Sequence, residues 1–99
     1  MTPLIAEYVA TLGPRAAGRI QGRARIEIAD HGAVVLSETG AEPGAPDAPA
    51  DVVLAASDAV FRAIFAGEQN PVMAYMSGKL RVEGNVKRAL KVSGILTGA

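Results

Sequence analysis

Two kinds of periodicity share this short chain, and together they fix the class of fold open to it. Residues 23–29 alternate strictly: Ala24, Ile26 and Ile28 point one way, and Arg23, Arg25 and Glu27 point the other. That is the pattern of a strand with one buried face. Lys79–Glu83 repeats it, with Leu80 and Val82 inward. Residues 3–12 instead place Leu4, Ile5, Tyr8, Val9 and Leu12 on one face of a helix, with Thr2 as cap and Pro3 at the first helical position.

The remaining segments fall between these landmarks. Gly13-Pro14 is expected to end the first helix, and residues 14–22 to hold another helical turn. Asp30-His31-Gly32 reads as a hairpin turn into a strand over 33–39, whose register is left open by the consecutive Val34, Val35 and Leu36. Pro43, Pro46 and Pro49 mark 40–49 as a loop. Residues 51–56 form a strand with Val52, Leu54 and Ala56 on one side. Ser57 caps a helix over 58–66 with Val60, Phe61, Ile64 and Phe65 inward, and Gly67 ends it. Asn70-Pro71 opens a short helix with Val72, Met73 and Met76 on one side, ending at Gly78. Asn85 caps a last helix to about Leu96, with Val86, Ala89, Leu90, Ser93 and Leu96 as the inner stripe and Lys87, Arg88 and Lys91 opposite.

Helix, strands, two helices, strand, helix is an α+β order: a largely antiparallel sheet covered on one face by helices. At 99 residues the chain has room for a single domain, 1–99. Nearly half the residues are hydrophobic but only 4% are aromatic, so the core must be built largely from Ala and Val.

Several functions are excluded. A formal net charge of zero argues against nucleic acid, which demands an excess of Lys and Arg. The charge is nonetheless uneven. Arg15, Arg19, Arg23 and Arg25 make the start basic, and Lys79, Arg81, Lys87, Arg88 and Lys91 do the same for the end. Such a dipolar surface suits an anionic membrane or partner, but ordinary solvated faces are the default reading of exposed charge. With no cysteine and a single histidine, no zinc site can be composed. His31 lies in an expected turn beside Asp30, and no nucleophile elbow surrounds any serine. Ser77-Gly78-Lys79 fails as a phosphate loop, because Met73 stands where glycine is required. No catalytic residue, metal or cofactor is therefore expected. There is no signal peptide and no run long enough to span a bilayer, and the ending Leu96-Thr97-Gly98-Ala99 is not a peroxisomal address, so a cytoplasmic protein is expected.

Phe61, Phe65, Met73 and Met76 are large apolar side chains on consecutive helices, expected to face one sheet. Pattern alone reads them as core filler; the wall of an adaptable pocket is the alternative.

Residues 51–92 resemble the sterol carrier protein type-two family, above all in DVVLAASDAVF at 51–61 and NPVMAYMSGKLRVEGN at 70–85. Tyr75 stands where that family usually has Phe, and Asn85 where it often has Asp. The resemblance implies a five-stranded sheet, helices on one side and a hydrophobic tunnel between the layers. It implies non-catalytic binding, and transfer, of fatty acid, fatty acyl-CoA, sterol or phospholipid. By position, Ile26, Ile28, Phe61, Phe65, Met73, Met76, Leu80, Val82 and Leu90 would line the tunnel.

An empty apolar cavity of about 300 Å³ would cost on the order of 7 kcal/mol at about 24 cal/mol per Å³. That is comparable with the whole stability of a small domain, so the space is expected to be collapsed or occupied. Ile95, off the inner stripe and near Lys91 and Arg88, suits transient membrane contact, and packing against the chain end is the other reading. Two further functions stay open: a module presenting a lipid-like intermediate, as in quinone biosynthesis, to a partner enzyme, and a structural or dimerisation domain with a filled core.

Overall fold

The computed structural model describes residues 2–45 and 47–97, so Pro46 of the expected loop and the terminal Gly98-Ala99 lie outside it. The elements are α1 (Pro3–Ala16), β1 (Ala24–Ile28), β2 (Gly32–Ser37), β3 (Gly40–Gly44), β4 (Val52–Ala56), α2 (Asp58–Phe65), α3 (Pro71–Met76), β5 (Arg81–Gly84) and α4 (Val86–Leu96). The five strands lie in the order β3-β2-β1-β4-β5. The central pair β1·β4 is parallel, with Ile26 opposite Leu54, and the other three pairs are antiparallel.

Alternation decides which face each strand offers. Ala24, Ile26 and Ile28 meet Val34, Leu36, Val52, Leu54 and Ala56 in one core beneath the helices. The ambiguous run in β2 resolves by pairing: Val34 sits opposite Ile26 and Leu36 opposite Ala24, so Val35 points to the other side. Among the described residues no helix covers that other side. Val35 and Val53 are buried there all the same, beside the Arg25–Glu27 ion pair at 3.0 Å. Arg25 also donates to the Ala48 carbonyl, drawing the segment after β3 across the back of the sheet.

The structure departs from the sequence expectations at β3, at the end of α1, in the setting of α4 and in the face that α3 turns inward. Residues 40–44 are a strand rather than part of a loop. Its position at the sheet edge tolerates Pro43, which has no N–H to give. Helix α1 runs through Pro14 to Ala16. The proline costs the hydrogen bond to the Ala10 carbonyl, but Ala10 is exposed and water can replace it, while Ala16 is fully buried and anchors the last turn. In α4 the buried stripe is Ala89, Val92, Ser93, Ile95 and Leu96. The helix is rotated from its expected setting because Ile20, Ala24 and Val52 offer an apolar wall to Val92 and Ile95. Val86 and Leu90 are left half-exposed, and Ile95, at 5% exposure, is not a surface residue for membranes to meet.

Caps stand where expected: Thr2, Ser57, Asn70 and Asn85 each accept a backbone N–H of the first helical turn. Helix α2 is seated on α1 by an aromatic group and a polar clasp. The Tyr8 ring meets Phe65 edge-on at 5.2 Å and Phe61 at 6.1 Å. The Tyr8 hydroxyl donates to Asp58 Oδ1 at 2.7 Å, and Arg62 bridges Asp58 and Glu7. Burial, reinforced by the hydrogen bond to Asp58, pushes the Tyr8 hydroxyl far above the usual phenol range. Partial burial alone would raise Asp58. Hydrogen bonds from Tyr8 and Arg62, with the Arg62 charge, outweigh it and hold the carboxyl below its ordinary value.

Tyr8→Phe is expected to cost about 1.5–3 kcal/mol at neutral pH, the worth of a hydrogen bond to a charged group. A carboxyl depressed on folding stabilises above its unfolded pKa of about 4 and loses that contribution as pH falls through the folded value. The gap between variant and parent should therefore narrow in acid, as urea unfolding at pH 7 and in acid would read.

Candidate functional site

The interior offers apolar surface and little else. Ile26, Ile28, Phe61 and Leu80 are buried between sheet and helices, and Phe65 and Val82 pack against the same cluster. Ile64, Leu54, Leu36 and Leu12 complete it. Among the described residues, no buried side-chain nitrogen or oxygen lacks a hydrogen-bond partner. The buried polar side chain Ser93 satisfies itself, its Oγ donating to the Leu90 carbonyl at 2.7 Å. A guest in this layer would meet hydrocarbon and find no polar group waiting for it.

The other expected wall residues lie elsewhere. Met73 is 60% exposed, Met76 75% and Leu90 46%. Helix α3 turns only Ala74 inward, so the stripe read from Val72, Met73 and Met76 faces solvent, not the sheet. A stripe of that kind shows that a helix has an apolar side without showing which neighbour the side meets.

What α3 and α4 do form is a seam. Pro71 and Tyr75 of α3, Leu80 and Val82 before and within β5, and Val86, Ala89, Leu90 and Ser93 of α4 surround a gap whose floor is Leu54 of the inner strand β4. Its volume is about 10 Å³, no more than one water needs. This is an apolar crack that reaches the middle of the sheet and is shut by its own side chains. Tyr75 and Val86 belong to its walls and stand exposed, and they are absent from the residues expected to line a tunnel. The clue in the sequence was that α3 is apolar nearly all round.

Acid–base chemistry has little to work with. His31 sits in the β1–β2 turn after Asp30, which adopts a left-handed φ of 66°. No cluster of metal-ligating side chains occurs among the described residues. The Tyr8–Asp58–Arg62 group joins two helices, and its raised phenol does not release a proton near neutrality. No described helix is long and apolar enough to cross a membrane.

Comparison with known proteins adds the following. Residues 7–97 match the model of the SCP-2 sterol transfer family. A hydroxysteroid dehydrogenase-like protein 2 from Xenopus laevis is 44% identical over 57 residues, 58% of this chain and 14% of that protein. The chain thus spans about a seventh of the length of that relative. Among solved structures, sterol carrier protein 2 of Aedes aegypti in complex with palmitate superposes with a TM-score of 0.73 at 19% identity, over 97% of this chain and 96% of that one. The apo sterol carrier protein 2 of Yarrowia lipolytica gives 0.67 at 24% identity, over 98% and 77%.

The two classes of expected wall residue should separate by stability. Phe61→Ala is expected to cost about 3–5 kcal/mol. Met73→Ser combined with Met76→Ser should stay within about 0.5 kcal/mol of the parent. Urea unfolding measures both.

Proposed function

The chain belongs to the SCP-2 sterol transfer family, and we propose that it holds one lipid chain between its helices and its sheet, carrying it unchanged through the cytoplasm. The observation that carries this reading is the seam: a largely apolar crack between α3, β5 and α4 that leads from the surface to Leu54. Widening it would admit an alkyl chain beside Ile26, Phe61, Leu80 and Val82, with Phe65 and Ile28 in the same apolar layer and Met73, Met76 and Leu90 closing over the outside.

Helix α3 is the element suited to move. It has six residues, buries only Ala74, and lies between Gly67 and Gly78, each at a positive φ that a backbone hinge can exploit. Displacing it uncovers little of the core. A flexible acyl chain suits such an opening better than a rigid sterol, because it can thread a narrow gap. The palmitate complex of the Aedes aegypti protein, alike in fold, supports a fatty acid as the first ligand to try.

With the layer closed, ligand and side chains must exchange places, and binding should show as added stability. Delipidated protein with palmitate at about a hundred times its dissociation constant should gain about 2.7 kcal/mol and melt several degrees higher. Differential scanning calorimetry and mass spectrometry of organic extracts read the two sides of this. No co-purified lipid, together with an unmoved melting point, would leave a structural domain with a filled core instead.

A further inference from the structure

The basic beginning and the basic end of the chain, far apart in sequence, meet at one place. Arg19 and Arg23 from the segment between α1 and β1 and Arg88 and Lys91 from α4 line a single cleft of about 100 Å³. Its floor is apolar: Ile20, Ala24, Val52, Val92 and Ile95, all buried. The cleft widens outward along Arg19, Lys91 and Gly94 on one side and along Arg23, Pro49 and Ala50 on the other. Among the lining residues Asp51 is the one carboxylate against these four cations, in a chain whose formal net charge is zero.

Asp51 organises the cleft without neutralising it. Its Oδ2 accepts the Arg23 backbone N–H at 3.0 Å and faces Nη1 of Arg88 at 3.4 Å. Gly22, at φ 80°, makes room for this arrangement, since a Cβ there would collide with Asp51 Oδ2. The guanidinium of Arg88 is thereby held at the mouth, beside Lys91 one turn further along α4.

We propose that this cleft binds a phosphate group. Arg23, Arg88 and Lys91 alone outnumber Asp51, an excess that suits a phosphate better than a single carboxylate, and guanidinium forks match its oxygens in pairs. The cleft and the seam flank α4 on opposite sides. Residues 88, 91, 92 and 95 face the cleft, residues 86, 89, 90 and 93 face the seam, and the two reach Val52 and Leu54 on one face of β4. The phosphate can come from a lipid headgroup whose chain lies over the apolar floor, or from free phosphate in solution.

The test is a 1H–15N titration of the delipidated protein at constant ionic strength with three probes: inorganic phosphate, a lysophosphatidate below its micelle concentration, and a monoacylglycerol with the same chain. Saturable shifts centred on Arg19, Gly22, Arg23, Asp51, Arg88 and Lys91 are expected with phosphate or with lysophosphatidate. Tighter binding of lysophosphatidate than of both other probes identifies a headgroup, and equal binding of inorganic phosphate identifies the free ion. Arg88→Gln and Lys91→Gln should each weaken binding by about tenfold, the scale of one charge-assisted contact. Lys87→Gln, the same charge change on α4 outside the cleft, should not weaken it. Lysophosphatidate binding no tighter than monoacylglycerol, with no saturation by phosphate, would overturn the proposal. So would Lys87→Gln weakening binding as much as the cleft variants. Because inorganic phosphate carries no chain, these outcomes are separate from whether a lipid enters the seam.

Discussion

The parallel pairing of β1 with β4 sets nearly everything else in the molecule. It joins segments some thirty residues apart, and its register puts Ile26 beside Leu54 on the helix-facing side. A slip of one residue would put these two side chains on opposite faces; if β1 were the strand that turned, Ile26 would go to the back of the sheet and Arg25 and Glu27 into the core. With the register fixed, β2 and β5 add on either flank by their own alternation. The chain leaving β4 enters α2 directly at the Ser57 cap, so Phe61 and Ile64 are placed over the strands they cover. The seam inherits its floor from the same pairing, because Leu54 is at once the partner of Ile26 and the bottom of the crack.

The packing of the layer carries an energetic message. A preformed void large enough for a lipid would weigh against most of the stability a small domain possesses. The layer is instead filled by the protein's own side chains, and the apolar access to it lies beside the helix that buries least. On the proposed reading, the work of admitting a guest falls to α3 and the seam, while the Tyr8, Phe61 and Phe65 group is held by its edge-on contacts and by the Tyr8 hydrogen bond.

Much of this was legible in the sequence, and the limits are physical. Residues 24–28 and 52–56 announced their strands because hydrophobic alternation is local. The caps at Thr2, Ser57, Asn70 and Asn85 are local as well. Strand β3 was hidden because an edge position excuses Pro43 from donating, and composition does not reveal where an edge will be. The setting of α4 was hidden for a different reason. Val86 and Leu90 suit an inner stripe as well as Val92 and Ile95 do, and the choice is made by Ile20, in a segment without regular structure. The same long-range fact brings Arg19 and Arg23 to Arg88 and Lys91. Uneven charge was visible along the chain, but its convergence needed the fold. Of the expected wall residues, those on strands and on α2 entered the apolar layer, and those on α3 and α4 did not, since short helices leave their orientation to their neighbours.

The uncovered back of the sheet bears on how the molecule behaves in a crowd of its own kind. Val35 and Val53 form an apolar strip there, screened by the paired Arg25 and Glu27 and by the chain that Arg25 draws across through Ala48. With a formal net charge of zero, copies of the protein do not repel one another strongly. Loss of Arg25 would thin that screen and open the strip, with no net charge to hold copies of the protein apart.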